Sequence, residues 1–330
     1  MNILKSELNA HLSIRKRPAN YQNNHEHLFK NAFQQEINQT TLLNLKKVNI
    51  LKGTIFNVSK LKSYPSLSSI QPVSKKVLFK KIFKLILPQN KIHDAIWIND
   101  DWSEEYFHWL TDALTRLITI GTFTPNRLVI LPESYKTKPY ISQSLELLKF
   151  EISYYNPRKR LVISNLYTCT HTAPTGNYNK HIINNLRDRF LKDKKSFPTR
   201  KIFISRQKAT RRKIQNENQV ISLVSHYGYE IHFFEDYDFL QQIAIMSETK
   251  SLIGLHGAGL TNMLFMPCNG QVMELRNEGD NHNNCFFSLA SDLGHDYFYL
   301  LNTGNTENTH LVEVTVNIPR LKEALTLMEV

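Results

Sequence analysis

Ser251-Leu252-Ile253-Gly254-Leu255-His256-Gly257-Ala258-Gly259-Leu260-Thr261-Asn262 decides how this chain is read. An apolar run, a glycine-rich turn and a fresh apolar start read as a buried strand, a tight turn and a helix beginning near Thr261. Gly257 and Gly259 allow tight backbone with N–H groups near the helix start. Those groups and the helix dipole make an anion site. His256 stands where the strand ends, in reach of a phosphate or a leaving group. Gly257, Ala258, Gly259, Thr261 and Asn262 complete the candidate set. The spacing is not GxGxxG and the lysine of a P-loop is missing, so a dinucleotide or ATP fingerprint is not supported.

The same alternation extends on both sides. Strands are predicted at 201–205, 229–234, 271–275 and 296–300. Helices are predicted at 216–227, 239–247 and 284–293, the first closed by Gly228. Further upstream, 95–98 and 128–131 read as strands, and 103–119 and 142–150 as helices. Residues 165–178, with Pro174 and Gly176, read as a crossover between domains. The class is α/β, as doubly wound layers that bind ligands outside the carboxyl ends of their strands. The expected division is 1–170, 171–305 and a tail at 306–330 packing back toward the first domain. The tail helix, 319–328, would use Leu321, Ala324, Leu325 and Leu327.

Composition narrows the chemistry. The 330 residues suit two domains. No apolar run approaches the ~20 residues of a membrane span. Residues 1–20 lack the apolar core of a secretory signal. Three cysteines without CxxC spacing make neither a disulfide framework nor a zinc site. These features predict a reducing cytoplasm and no bound metal. A net charge of +12 favours anionic partners. Residues 75–87 interleave lysines with apolar residues. Segment 75–84 admits peripheral contact with an anionic membrane face, or a packed helix or strand pair with solvated lysines.

Three further constellations stand out. Arg206 closes one strand, and Arg212 and Asn216 come after it; guanidinium gives permanently charged, bidentate contact to a diphosphate. Twelve basic residues run from Arg187 to Lys213, of which Lys192, Lys194 and Lys195 read as a solvated face. Glu274 ends a strand, where a carboxylate can accept both ribose hydroxyls; Ser205 is grouped with it on the nucleoside side. On the 103–119 helix, His108 and Asp112 share a face, as do Asp112 and Arg116, with Glu105 one turn back. His108 oriented by Asp112 is a candidate general base.

The ordered set Ile204-Ser205-Arg206, Arg212 to Glu217, Gln242-Ile243, His256 to Asn262, Phe265-Met266-Pro267 and Glu274-Leu275 resembles glycosyltransferase family 61. The helix with His108, Asp112 and Arg116 resembles that family's N-terminal pattern. The resemblance implies a GT-B architecture, two Rossmann-like domains facing across a cleft. It implies metal-independent, inverting transfer from a UDP-sugar, with GlcNAc, xylose or arabinose as the sugar. It further implies a glycan or lipid-linked glycan acceptor, as in bacterial capsule or surface polysaccharide, with no cofactor beyond the donor and no nucleic acid. By position, Arg206, Arg212, Asn216 and His256 would meet the diphosphate, and Glu274 the ribose. Eukaryotic members carry a signal or anchor, and none is visible here; that points to a bacterial-type cytoplasmic enzyme or to a truncated chain. Asp236-Tyr237-Asp238 precedes a helix, where Asp238 reads as an N-cap. The competing reading is a non-catalytic binder of nucleic acid or acidic polysaccharide, which leaves the His-Gly-Ala-Gly turn unexplained.

Overall fold

The computed structural model describes residues 2–70, 73–86, 89–124, 128–192, 197–280, 283–306 and 311–329. Leu87, Lys194 and Lys195, which entered the sequence reading, lie outside them. The chain divides into two compact units. One joins Met1–His11 to Glu36–Thr175, and the other joins Leu12–Gln35 to Gly176–Val330.

The first unit is built on one mixed sheet. Its strands are β1 (Asn2–Leu8), β2 (Thr40–Leu51), β3 (Thr54–Asn57), β4 (Lys62–Ser63), β5 (Gln89–Ile96), β6 (Leu128–Pro132), β7 (Glu151–Tyr155) and β8 (Arg160–Cys169). They lie in the order β4-β3-β2-β8-β5-β6-β7, with β1 on β2. β8, β5, β6 and β7 are parallel, and β1 to β4 join antiparallel. An all-parallel layer was expected, and residues 165–178 were read as a crossover. Instead β8 is the central strand between the two halves. Its polar Ser164, Asn165 and Thr168 interrupt the apolar pattern that marks a buried strand, and no helical stretch flanks it.

The predicted 103–119 helix is three pieces: Tyr106–His108, a wide π turn at Trp109–Ala113, and Leu114–Gly121. The π turn adds a residue and so rotates the last piece about the helix axis. Arg116 lies wholly inside and bonds backbone carbonyls, with no ion pair to Asp112 among the described residues. Its guanidinium donates to the carbonyls of Ile98, Leu67 and Cys169 at 3.0 Å each. Arg116→Met would leave those acceptors buried and unpaired. Urea denaturation is expected to show a loss of about 3–5 kcal/mol.

The second unit has a sheet of β9 (Arg200–Ile204), β10 (Glu230–His232), β11 (Thr249–Leu255), β12 (Gln271–Asn277), β13 (Asp296–Gly304) and β14 (Val314–Thr315). The order is β10-β9-β11-β12-β13-β14, parallel except for β14. Counted along the chain this is 2-1-3-4-5, whose direction reverses between β9 and β11. Doubly wound sheets bind ligands beyond the carboxyl ends at that switch point.

Two expectations about extent differ. Residues 12–35 belong to the second unit. There Arg15 pairs with Asp292 at 3.1 Å and Asn20 brackets the backbone of Tyr299 on β13. The tail helix, Ile318–Met328, also belongs to this unit, where its apolar face joins the core. That face is Leu321, Ala324, Leu325 and Met328, at helical spacing, whereas Leu327 is 56% exposed.

Buried His295 accepts from the Gly270 N–H at Nδ1 and donates from Nε2 to the Met263 carbonyl. Burial lowers its pKa from 6.5 to about 4. The unfolded chain therefore takes up this proton first as pH falls. Stability from this group is full above pH 6.5 and declines down to about 4, by roughly 3 kcal/mol in all. Denaturation at several pH values should give a shallower acid slope for His295→Gln; an unchanged slope would contradict this.

Candidate active site

The carboxyl ends of β9 and β11 meet the switch point with different equipment. β11 ends at Leu255, next to His256. Gly257 then caps a 3-10 turn, Ala258–Phe265. The first N–H groups of such a turn have no acceptor within it. The glycines permit close approach. A Cβ at Gly257 would lie 3.4 Å from the Arg212 Cζ, and one at Gly259 would lie 3.4 Å from Ile204. Gly259 thus serves packing on β9, while Gly257 lets a guanidinium rest against the turn.

Arg212 is the cation of this site. Among the described residues its guanidinium has no hydrogen bond or ion pair with the protein. Burial and the neighbouring Arg206 pull its pKa below the ordinary arginine value. Its backbone is left-handed, at φ 56°, which is costly for a non-glycine residue and recurs at ligand sites. Arg206 maintains that loop. Its guanidinium donates to the carbonyls of Arg211 at 2.8 Å and Arg212 at 3.2 Å. Glu217 in turn accepts from the Arg206 N–H and the Ser205 hydroxyl, both at 2.7 Å.

His256 is held from behind. Its Nδ1 bonds Glu274, whose other oxygen accepts from the Tyr297 hydroxyl at 2.5 Å. Burial alone would raise the Glu274 carboxyl, but His256 and then Arg276 outweigh it and hold its pKa below the ordinary value. Glu274 is thus an anion that accepts the Nδ1 proton, leaving Nε2 to face the Asn283 amide at 3.1 Å.

Several sequence-derived candidates are placed elsewhere. Glu274 is fully buried with both oxygens engaged, so it positions His256 and does not reach a ribose. Ser205 is equally buried and serves Glu217. Asn216 ties its helix to the C-terminal strand by exchanging bonds with the Val316 backbone. Thr261 and Asn262 are buried within the 3-10 turn, Asn262 donating to the Gly259 carbonyl. Arg206 is a positioning residue for Arg212. Strand-end residues point alternately outward and inward, and sequence position alone does not separate the two.

In the first unit His108 Nδ1 lies 2.8 Å from Asp112 Oδ2. Burial raises the Asp112 carboxyl, partly offset by His108. Glu105 is exposed at the start of this helix and makes no cap bond. A second pair lies beside the first: His171 Nε2 is 3.1 Å from Asp100 Oδ2. Burial would raise Asp100, but His171 and Arg116 hold its pKa below the ordinary value. His171 carries no motif in the sequence, although it sits two residues beyond the end of β8, and Asp100 sits four beyond β5. These strands are neighbours, and their strand ends were the available signal. An imidazole with one nitrogen on a carboxylate is placed to exchange a proton at the other.

Residues 106–273, half of the chain, match the family model described as Glycosyltransferase 61. The chain belongs to glycosyltransferase family 61. The matched span of this glycosyltransferase 61 chain opens at the helix of His108 and closes beside Glu274, taking in Arg212 and the His256 turn. Relatives are named EGF domain-specific O-linked N-acetylglucosamine transferase. The Bos taurus protein is 38% identical over 91 residues, covering 26% of this chain and 17% of the relative. That of Canis lupus familiaris is 31% identical over 136 residues, covering 39% and 25%. That of Drosophila melanogaster is 38% identical over 82 residues, covering 24% and 15%. The family 61 chain thus spans a quarter or less of the length of these curated relatives.

Proposed function

We propose that the chain transfers a sugar from a UDP-sugar to a hydroxyl of a glycan or lipid-linked glycan acceptor, with inversion and without a metal ion. GlcNAc is the first candidate, because the relatives are named for its transfer, and xylose the second. The acceptor we propose is a bacterial surface polysaccharide. One observation carries the reading: at the sheet's switch point an arginine with no ion-pair partner among the described residues rests on a glycine turn whose N–H groups start a 3-10 helix. That combination suits a diphosphate. Metal independence is supported by the one Asp-x-Asp: Asp236 pairs with Lys208 and Asp238 caps a helix, each already engaged.

In this mechanism His108, oriented by Asp112, takes the acceptor hydroxyl proton at Nε2. The acceptor oxygen bonds to the anomeric carbon from the face opposite UDP. The bond from that carbon to the β-phosphate oxygen breaks, and its electron pair leaves with UDP. Arg212 and the turn amides hold the added negative charge.

A panel of UDP-, GDP- and CMP-sugars, assayed for hydrolysis with and without EDTA, tests the proposal. Turnover of a UDP-sugar that persists in EDTA and releases an inverted sugar by NMR is expected. No turnover with any UDP-sugar, or activity abolished by EDTA, would overturn it.

A further inference from the structure

From Ile37 to His93 the chain carries eleven of its 41 basic residues and none of its 29 acidic ones. That segment alone holds +11 of the +12 net charge. Part of it is the β3–β4 hairpin, at one edge of the first unit's sheet, with Lys60 and Lys62, and the helix Lys75–Ile82, with Lys75, Lys76, Lys80 and Lys81. Between hairpin and helix runs a groove lined by Phe56, Val58, Leu61, Leu78, Ile82 and Leu85.

Several apolar side chains here are exposed. Leu61 is 94% exposed at the hairpin tip, Ile86 is 90% and Phe79 is 61%. Leu61 also has φ 48°, a conformation that bulky residues avoid. Beside the groove, exposed Leu61, Phe79 and Ile86 add apolar surface of the kind that marks an interaction site. Lys60 and Lys62 flank Leu61, and Lys75, Lys76 and Lys80 project from the helix into solvent.

We propose that this edge of the first unit docks on an anionic lipid bilayer, with Leu61, Phe79 and Ile86 entering the headgroup region and the lysines meeting lipid phosphates. Apolar anchors rimmed by lysines are the composition of an interfacial surface. A nucleic acid would satisfy the lysines and leave the apolar side chains uncovered. A second copy of the chain would bring two fields of like charge together.

The test is co-sedimentation of the full chain with phosphatidylcholine vesicles, with and without phosphatidylglycerol. Binding is expected only with phosphatidylglycerol. Lys75→Gln, Lys76→Gln and Lys80→Gln together should lower it about 100-fold. Leu61→Ser with Phe79→Ser should lower it about 10-fold or more. UDP affinity and melting midpoint serve as controls for an intact fold and are expected to stay unchanged. Failure to sediment with anionic vesicles, equal binding to phosphatidylcholine alone, or a dimer abolished by Leu61→Ser would overturn the proposal. Sugar-nucleotide turnover is measured without vesicles, so either reading can fail without the other.

Discussion

Replacing His108 with alanine is expected to cut turnover about 100-fold or more while UDP affinity stays unchanged. The imidazole lies in the first unit, and the charges assigned to the diphosphate lie in the second. Its loss would remove the group that receives the acceptor proton and nothing that holds the donor. Asp112→Asn should fall between the two. The amide oxygen can still accept from Nδ1, but the negative charge that stabilises the protonated ring is gone. Steady-state kinetics beside a UDP titration separates these effects. Near-normal turnover in His108→Ala, combined with a large loss in His171→Ala, would transfer the proton to the neighbouring pair with Asp100 and discard His108.

Arg212→Ala is expected to weaken UDP binding about 5–150-fold, the equivalent of about 1–3 kcal/mol for a charged hydrogen bond. Lysine at this position should recover only part, because a point charge lacks the planar fork. Arg206→Ala should weaken UDP more modestly, by letting the strained loop relax, and the double variant should then lose less than the sum of the two single losses. Strict additivity would show that Arg206 meets the phosphates itself.

The parallel core was readable because its strands are short apolar runs between helices with clear ends. Asp238 and Gly228 are cases where cap chemistry marked a boundary directly. β8 escaped because its polar residues pair in a sheet that is half antiparallel, a context set by residues 1–70. The strand-end rule pointed to the switch point but did not say which side chains face out. Glu274 and Ser205 point into the core, whereas Arg212 reaches the turn through a left-handed residue that periodicity does not reveal. Arg116 likewise bonds the carbonyls of Ile98, Leu67 and Cys169 instead of Asp112, partners that helix spacing does not reveal. The basic run from 37 to 93 was visible as composition, but the exposure of its leucine and phenylalanine required coordinates.

The most direct measurement is calorimetric titration of UDP into the wild-type chain and into Arg212→Ala, with EDTA present throughout. The account predicts saturable binding by the wild type that is lost or strongly weakened in the variant. UDP binding of equal strength in both proteins, or none in the wild type, would contradict it.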